Sequence, residues 1–294
     1  MTPSTIIKKP RATGEAGRRA RLERLERSIA SHRAVRAAFG RAEDPDALRR
    51  TAEIFEVPDW AQGSVGLVDA LFLYDMVACL RPGRIVEIGA ASGASSAVLL
   101  HALHDAGSPL EGDAGPALVS IDLHRWCYFD RTRAVGSAVA EMAPALARGC
   151  LLHTNRTALD LGALVPGPDH ALDHGLFDMA FIDGDHRHPA PTVDLLALAP
   201  FLRPGGWAIL HDIDLPAAAD RYERAHGVKV PWHHAGAQHL FDAWPWRKLR
   251  GELDGFNIGA VQLPDGPVTA ADLRAAIDHP FEYTPSPAAA ALLA

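Results

Sequence analysis

From Arg84 onward, apolar residues fall into short unbroken runs separated by stretches with helical spacing. The runs RIVEIGA, ALVSID, CLLHT, LFDMAFIDGD and GGWAILHDID read as buried strands. The segments ASSAVLLHALHDA, RAVGSAVAEMAPALA and TVDLLALAPFL between them read as helices. Strands alternating with helices predict a doubly wound α/β fold, a mostly parallel sheet covered on both faces. FNIGAVQLP is expected as a last strand, with WRKLRGEL as its partner. A short helix, TAADLRAAI, follows in the tail.

Upstream the pattern is helical throughout. Glu15 to Phe39 favours a helix in composition and spacing. Asp44 or Asp46 is placed to cap a second helix through Phe55, and LVDALFLYDMVACL forms a third that stops at Arg81-Pro82-Gly83. These breaks divide the chain into a basic helical N-terminal extension (1–55), an α/β domain (56–265) and a tail (266–294).

Charge sharpens this division. The net charge is −7, but residues 1–50 hold 13 of the 29 Lys and Arg against 6 of the 36 Asp and Glu. The extension is therefore basic and the body acidic. An acidic body argues against a nucleic-acid substrate, whose phosphates require a basic groove. A basic helical arm suits contact with an acidic surface of the chain itself or of a sister subunit, so a homodimer through these helices is expected. No apolar run reaches the roughly 20 residues that cross a bilayer. Three scattered cysteines and no apolar stretch behind the basic N-terminus point to a reducing cytoplasm.

The candidate chemistry sits at the strand ends. Glu87-Ile88-Gly89-Ala90-Ala91-Ser92-Gly93 is a strand that turns through glycine into a helix opening at Ser95. Such a turn brings a ligand close to the backbone and to helix N-terminal amides. The spacing differs from the Gly-x-Gly-x-x-Gly of dinucleotide enzymes. Asp122 ends the next strand, 29 residues after Gly93, where a carboxylate receives ribose hydroxyls. Asp183, Asp185 and His186 follow the fourth strand, and His211 with Asp212 ends the fifth.

The order VEIGAASGAS, SID, FDMAFIDGDH and LRPGGWAILHD resembles the class I S-adenosylmethionine-dependent methyltransferases. More closely it resembles a bacterial group of small-molecule and sugar O-methyltransferases, over roughly residues 60–262. The resemblance implies a seven-stranded Rossmann-like sheet with an antiparallel last strand. It implies that Glu87, Gly89, Ala91, Gly93 and Ser95 lie along the methionine part of the cofactor. Asp122 would hold the ribose, with Thr157 and Asp183 also near the cofactor. Ala91 departs from the glycine found in many relatives.

The reaction so implied is O-methylation of a small hydroxylated metabolite or sugar, or of a carboxylate. An attacking hydroxyl must lose its proton, and Asp185 and His186 are the candidate bases. A divalent ion such as magnesium or manganese, held by Asp183, His211 and Asp212, is the alternative device, because adjacent strand tips lie about 4.8 Å apart. His233 and His234 are candidate acceptor contacts within a long loop that also carries Trp232, Trp244 and Trp246, which either wall the acceptor pocket or anchor the loop. A nucleotide-binding oxidoreductase and a non-catalytic binding module of the same fold are the competing readings.

Overall fold

The computed structural model describes residues 28–55, 57–61, 65–112, 115–165, 176–251 and 257–294. The sheet strands are β1 Ile85–Ile88, β2 Leu118–Asp122, β3 Cys150–Thr154, β4 Phe177–Ile182, β5 Leu202–His211, β6 Lys248–Arg250 and β7 Ile258–Gln262. They pair in the order β3-β2-β1-β4-β5-β7-β6. The first five run parallel, and β7 lies antiparallel between β5 and β6.

Both faces are covered, for the reason the apolar runs suggested: central strands buried on two sides cannot alternate polar and apolar. Ile85, Trp207 and Ile209 face one way, into a cluster with helices α3 (Leu67–Leu80) and α4 (Ala94–Asp105). Val86, Ile88, Ala208 and Leu210 face the other, against α7 (Ala190–Leu198) and α9 (Gly236–Ala243). The N-terminal helices α1 (28–38) and α2 (Pro45–Ile54) join the first layer, where Val35 and Ala47 are buried with α3. Asp44 caps α2, its carboxylate accepting from the amides of Asp46 and Ala47. His32 ties α1 down: Nδ1 lies 2.8 Å from the buried carboxylate of Asp75 in α3, and Nε2 accepts from the Asp44 amide. The start of the expected first helix, and with it the basic arm of residues 1–27, falls outside the described residues.

One expected helix is shorter than its composition suggests. Of RAVGSAVAEMAPALA only α5 (Ala138–Met142) is helical. Gly136 adopts φ +80° and donates its amide to the Ala91 carbonyl, which diverts the chain into the glycine turn before a helix can start. α6 (Leu161–Leu164) and α8 (Leu215–His226) complete the domain, and α10 (Arg274–Ile277) and α11 (Pro287–Leu293) pack the tail onto the α7 face. No described helix is long and apolar enough to cross a membrane.

Candidate active site

The chain runs outward from β1 to β3 on one side and from β4 to β5 on the other, so the order reverses between β1 and β4. Open parallel sheets bind ligands at that reversal, beyond the carboxyl ends of the strands. The glycine turn after β1, the ends of β4 and β5, and the loop after β2 all meet there.

Gly89 permits this meeting. At φ +91° a Cβ would stand 2.1 Å from the Asp183 carbonyl oxygen, so only glycine lets β1 and β4 close. Gly93, at φ +92°, lies where a Cβ would stand 2.8 Å from the Gly136 backbone, and it opens α4. Ala91 takes φ +44°, a left-handed conformation strained for a residue with a Cβ. It is pinned there by its amide, donated to Asp122 Oδ2 at 2.9 Å, and its carbonyl, which accepts from Gly136.

Asp122 is 8% exposed; Oδ1 accepts the His124 amide at 2.7 Å and Oδ2 the Ala91 amide. Each carboxylate oxygen accepts two bonds, so one position on each remains for a ligand. Glu87 is fully buried and receives the hydroxyls of Ser95, Ser96 and Ser120 at 2.5–2.6 Å. Burial pushes its carboxyl above the ordinary value, against those three hydroxyls. Both Glu87 and Ser95 thus brace the turn from beneath. Thr157 is committed to a cap, its amide and hydroxyl both donating to Asp160.

The acid–imidazole centre lies at the ends of β4 and β5. His186 Nδ1 is 2.7 Å from Asp212 Oδ2. Asn257 donates to the other Asp212 oxygen, and Asp212 takes φ +62° to reach both. His211 Nδ1 lies 3.1 Å from Asp183 Oδ1 and 3.3 Å from Asp212 Oδ1, with Nε2 3.5 Å from Asp69 on α3. Neither ring nitrogen of His211 attains hydrogen-bond geometry, although both are buried. Burial opposes charging His211, but Asp183 and Asp212 outweigh it and hold the imidazolium well above 6.5. The same balance raises His186 less far, chiefly through Asp212. Asp212 is held well below the ordinary carboxylate range by the two imidazoles, despite its burial.

Two expected roles change on this geometry. Asp183, His186 and Asp212 each offer a ligand atom within 4.8 Å of the others, so His186 and not His211 is the imidazole donor of the metal-competent set. Two carboxylates and one imidazole suit manganese, iron or zinc better than magnesium. Asp185 is bound to Arg187 through three contacts of 2.5–3.1 Å, which lowers its pKa against the effect of burial and makes it a weak base.

His233 and His234 are engaged elsewhere. His233 Nε2 lies 3.0 Å from Glu223 of α8, and His234 Nδ1 lies 2.5 Å from Glu282 of the tail. Trp244 is buried and donates to the Gln262 carbonyl, so it anchors the loop to β7. Asp220, Glu223 and His233 form a second acid–imidazole group, but Lys229 Nζ sits 2.6 Å from Glu223 and already neutralises it.

Sequence reasoning overlooked three acids or amides near this end of the sheet. Asp69 and Asn257 arrive from distant elements and carry no local signal. Asp194 does: it is the lone charge in the apolar helix TVDLLALA. Burial, with the nearby charge of Asp185, pushes its carboxyl up to about 7.

Residues 86–213 match the family described as Methyltransferase domain. The seven-stranded sheet has the Rossmann-like order of the class I methyltransferase fold, with the β1 turn, the β2 carboxylate and the β4–β5 tips at one end. No curated protein matches the chain in sequence. Among solved structures, the methyltransferase PaMTH1 of Podospora anserina, with S-adenosylhomocysteine bound, aligns at a TM-score of 0.51 and 16% identity, covering 86% of this chain and 98% of its own. The O-methyltransferase TomG of Streptomyces achromogenes, solved with S-adenosylmethionine, aligns at 0.44 and 23% identity, covering 76% and 92%.

Proposed function

We propose that this chain binds S-adenosylmethionine at the β1–β4 reversal and methylates a hydroxyl oxygen of a small acceptor. The observation that carries the reading is the His186–Asp212 contact of 2.7 Å at the tips of β4 and β5. Asp212 fixes the imidazole with Nδ1 toward the carboxylate, which leaves Nε2 as the basic lone pair. The cofactor, when bound, supplies an electrophilic methyl group on a sulfonium. When an acceptor hydroxyl takes that methyl group, its proton would pass to His186 Nε2, and the sulfur would keep the electron pair of the bond it loses. Asp122 receives the ribose hydroxyls, and the acid-rich floor of Asp69, Asp183 and Asp212 matches the positive sulfonium. Positioning supplies much of the acceleration in such an in-line transfer.

A metal-assisted variant rests on the Asp183, His186 and Asp212 donor set. An ion held there would acidify the acceptor hydroxyl in place of an imidazole base. The two variants compete for the same His186 lone pair, so one experiment separates them: metal analysis and turnover before and after chelation. Calorimetric titration with S-adenosylmethionine and S-adenosylhomocysteine tests the shared reading. Micromolar affinity for both is expected, and binding of neither compound overturns it. Cofactor binding without methyl transfer to any hydroxylated probe favours a non-catalytic binding module.

A further inference from the structure

The loop that carries His186 from β4 into α7 is gripped by two segments distant in sequence. On one side the Gly236 amide, at the start of α9, donates to the His186 carbonyl at 3.1 Å. A Cβ on Gly236 would stand 2.8 Å from that oxygen, so the two backbones are in direct contact. On the other side the C-terminal tail pairs with the loop two residues further on. The Glu282 amide donates to the His188 carbonyl at 2.9 Å, and the His188 amide donates to Glu282 Oε1 at 3.1 Å. Arg187, between these two grips, lies over the Tyr283 ring at 4.8 Å.

Glu282 joins the two grips into one closed unit. Its Oε1 also accepts the Ala235 amide at 3.4 Å, and its Oε2 lies 2.5 Å from His234 Nδ1. A single carboxylate thus ties residue 188 to residues 234 and 235, and residue 236 returns to the carbonyl of residue 186. Hydrogen bonds to a charged acceptor are the stronger kind. The tail that delivers Glu282 is itself fixed, because Leu273 and Ile277 before it and Leu293 after it are buried in the core on the α7 face.

Resting on the methyltransferase reading above, we propose that Glu282 is a positioning residue for His186: it sets the course of the loop so that the imidazole meets Asp212 through Nδ1. Asp212 belongs to a different element, the tip of β5, where Asn257 beside β7 holds its other oxygen. A shift of the loop alone therefore opens the 2.7 Å contact between His186 and Asp212, and a hydrogen bond of that length tolerates little displacement. Asp212 in turn decides which ring nitrogen carries the proton, so Glu282 acts on the lone pair at Nε2 without touching the ring.

The test is imidazole nitrogen NMR of the full chain at a pH where its histidines are neutral, with the His186 signals assigned by their loss in His186→Gln. The Nδ1-protonated tautomer should predominate in the wild-type protein. Its ratio to the Nε2-protonated form should fall roughly fivefold or more, the scale of one hydrogen bond, in Glu282→Ala and Glu282→Asp. The aspartate keeps the charge but withdraws the carboxylate by one methylene. Glu282→Gln should retain the wild-type ratio, because its amide oxygen can still accept from His188 and Ala235. A role in stability alone would lower the melting midpoint without changing the tautomer of the folded chain. A wild-type ratio in the folded Ala and Asp variants overturns the proposal, as does a wild-type protein in which the Nδ1 form is the minor one. A Gln variant that behaves like Ala overturns the backbone clasp in favour of the His234 pair. If Glu282→Ala does not fold, Glu282→Asp decides, and failure of both to fold assigns Glu282 to stability and overturns the positioning role. S-adenosylhomocysteine is titrated into the same samples. Its failure to bind the wild-type protein overturns the methyltransferase reading alone, because the tautomer ratio is read without cofactor.

Discussion

His186 Nδ1 sits 2.7 Å from Asp212 Oδ2, and the second Asp212 oxygen accepts from Asn257, so the imidazole is aimed by a carboxylate partnered at both oxygens. Replacing His186 by Ala is expected to lower turnover about 10²–10⁴-fold, the range for loss of a general base, with cofactor affinity retained. The base works only when neutral, and Asp212 raises its pKa. The acid limb of kcat/KM should therefore lie above pH 6.5. Full rate in His186→Ala would remove it from the reaction.

The same centre should shape stability against pH. His186 and His211 have raised pKa values, so their contribution is complete below 6.5 and fades as pH rises through the raised values. Asp212 is lowered, so its contribution is complete above 3.8 and fades as pH falls. The cluster thus stabilises the fold most between pH 3.8 and 6.5. Thermal midpoints across pH should show that plateau, and Asp212→Asn, which tolerates the left-handed backbone, should flatten both limbs. A variant with the wild-type profile would show that the centre contributes no linkage.

The glycine turn allows a paired substitution. Gly89→Ala would drive a Cβ to 2.1 Å from the Asp183 carbonyl and is expected to cost about 3 kcal/mol or more. Ala91→Gly relieves a φ of +44° and should keep or raise the denaturation midpoint, by about 1 kcal/mol at most. Equal destabilisation by both would mean that the turn is not closed on β4 as described.

Asp122→Ala should weaken S-adenosylmethionine binding by about 10–100-fold, the size of lost hydrogen bonds to a charged group. It also frees the Ala91 and His124 amides, so a melting curve must show the fold intact. Wild-type affinity would move the ribose elsewhere.

Chelation decides between base and ion. Without a resident metal, chelator treatment leaves turnover unchanged and Asp183→Asn acts mainly by releasing His211 from its charge partner. Turnover lost on chelation and restored best by manganese or zinc would assign Asp183, His186 and Asp212 as ligands.

The local pattern was enough for the βα alternation, because a strand buried on both faces must be apolar throughout and a covering helix must be amphipathic or apolar at helical spacing. It was also enough for Gly89, Gly93, Asp122 and the acids at the tips of β4 and β5, since strand ends followed by glycine or carboxylate are visible residue by residue. Partnership was not visible. That His186, rather than His211, joins Asp183 and Asp212 as a donor depends on where two loops cross. That Asp185 is spent on Arg187, and His233 and His234 on Glu223 and Glu282, depends on contacts up to 48 residues apart. Asp69 and Asn257 enter the centre only because α3 and β7 pack beside β5. Composition favoured a helix from Arg133 on, where the chain after β2 runs into α5. Tertiary bonds from Gly136 and Cys127 to the β1 turn overrode that propensity, because helix preference is worth only tenths of a kcal/mol per residue, less than about 1 kcal/mol from one hydrogen bond. Sequence alone determined the layers and the end of the sheet where the candidate site residues gather; packing decided which side chains at that end face one another.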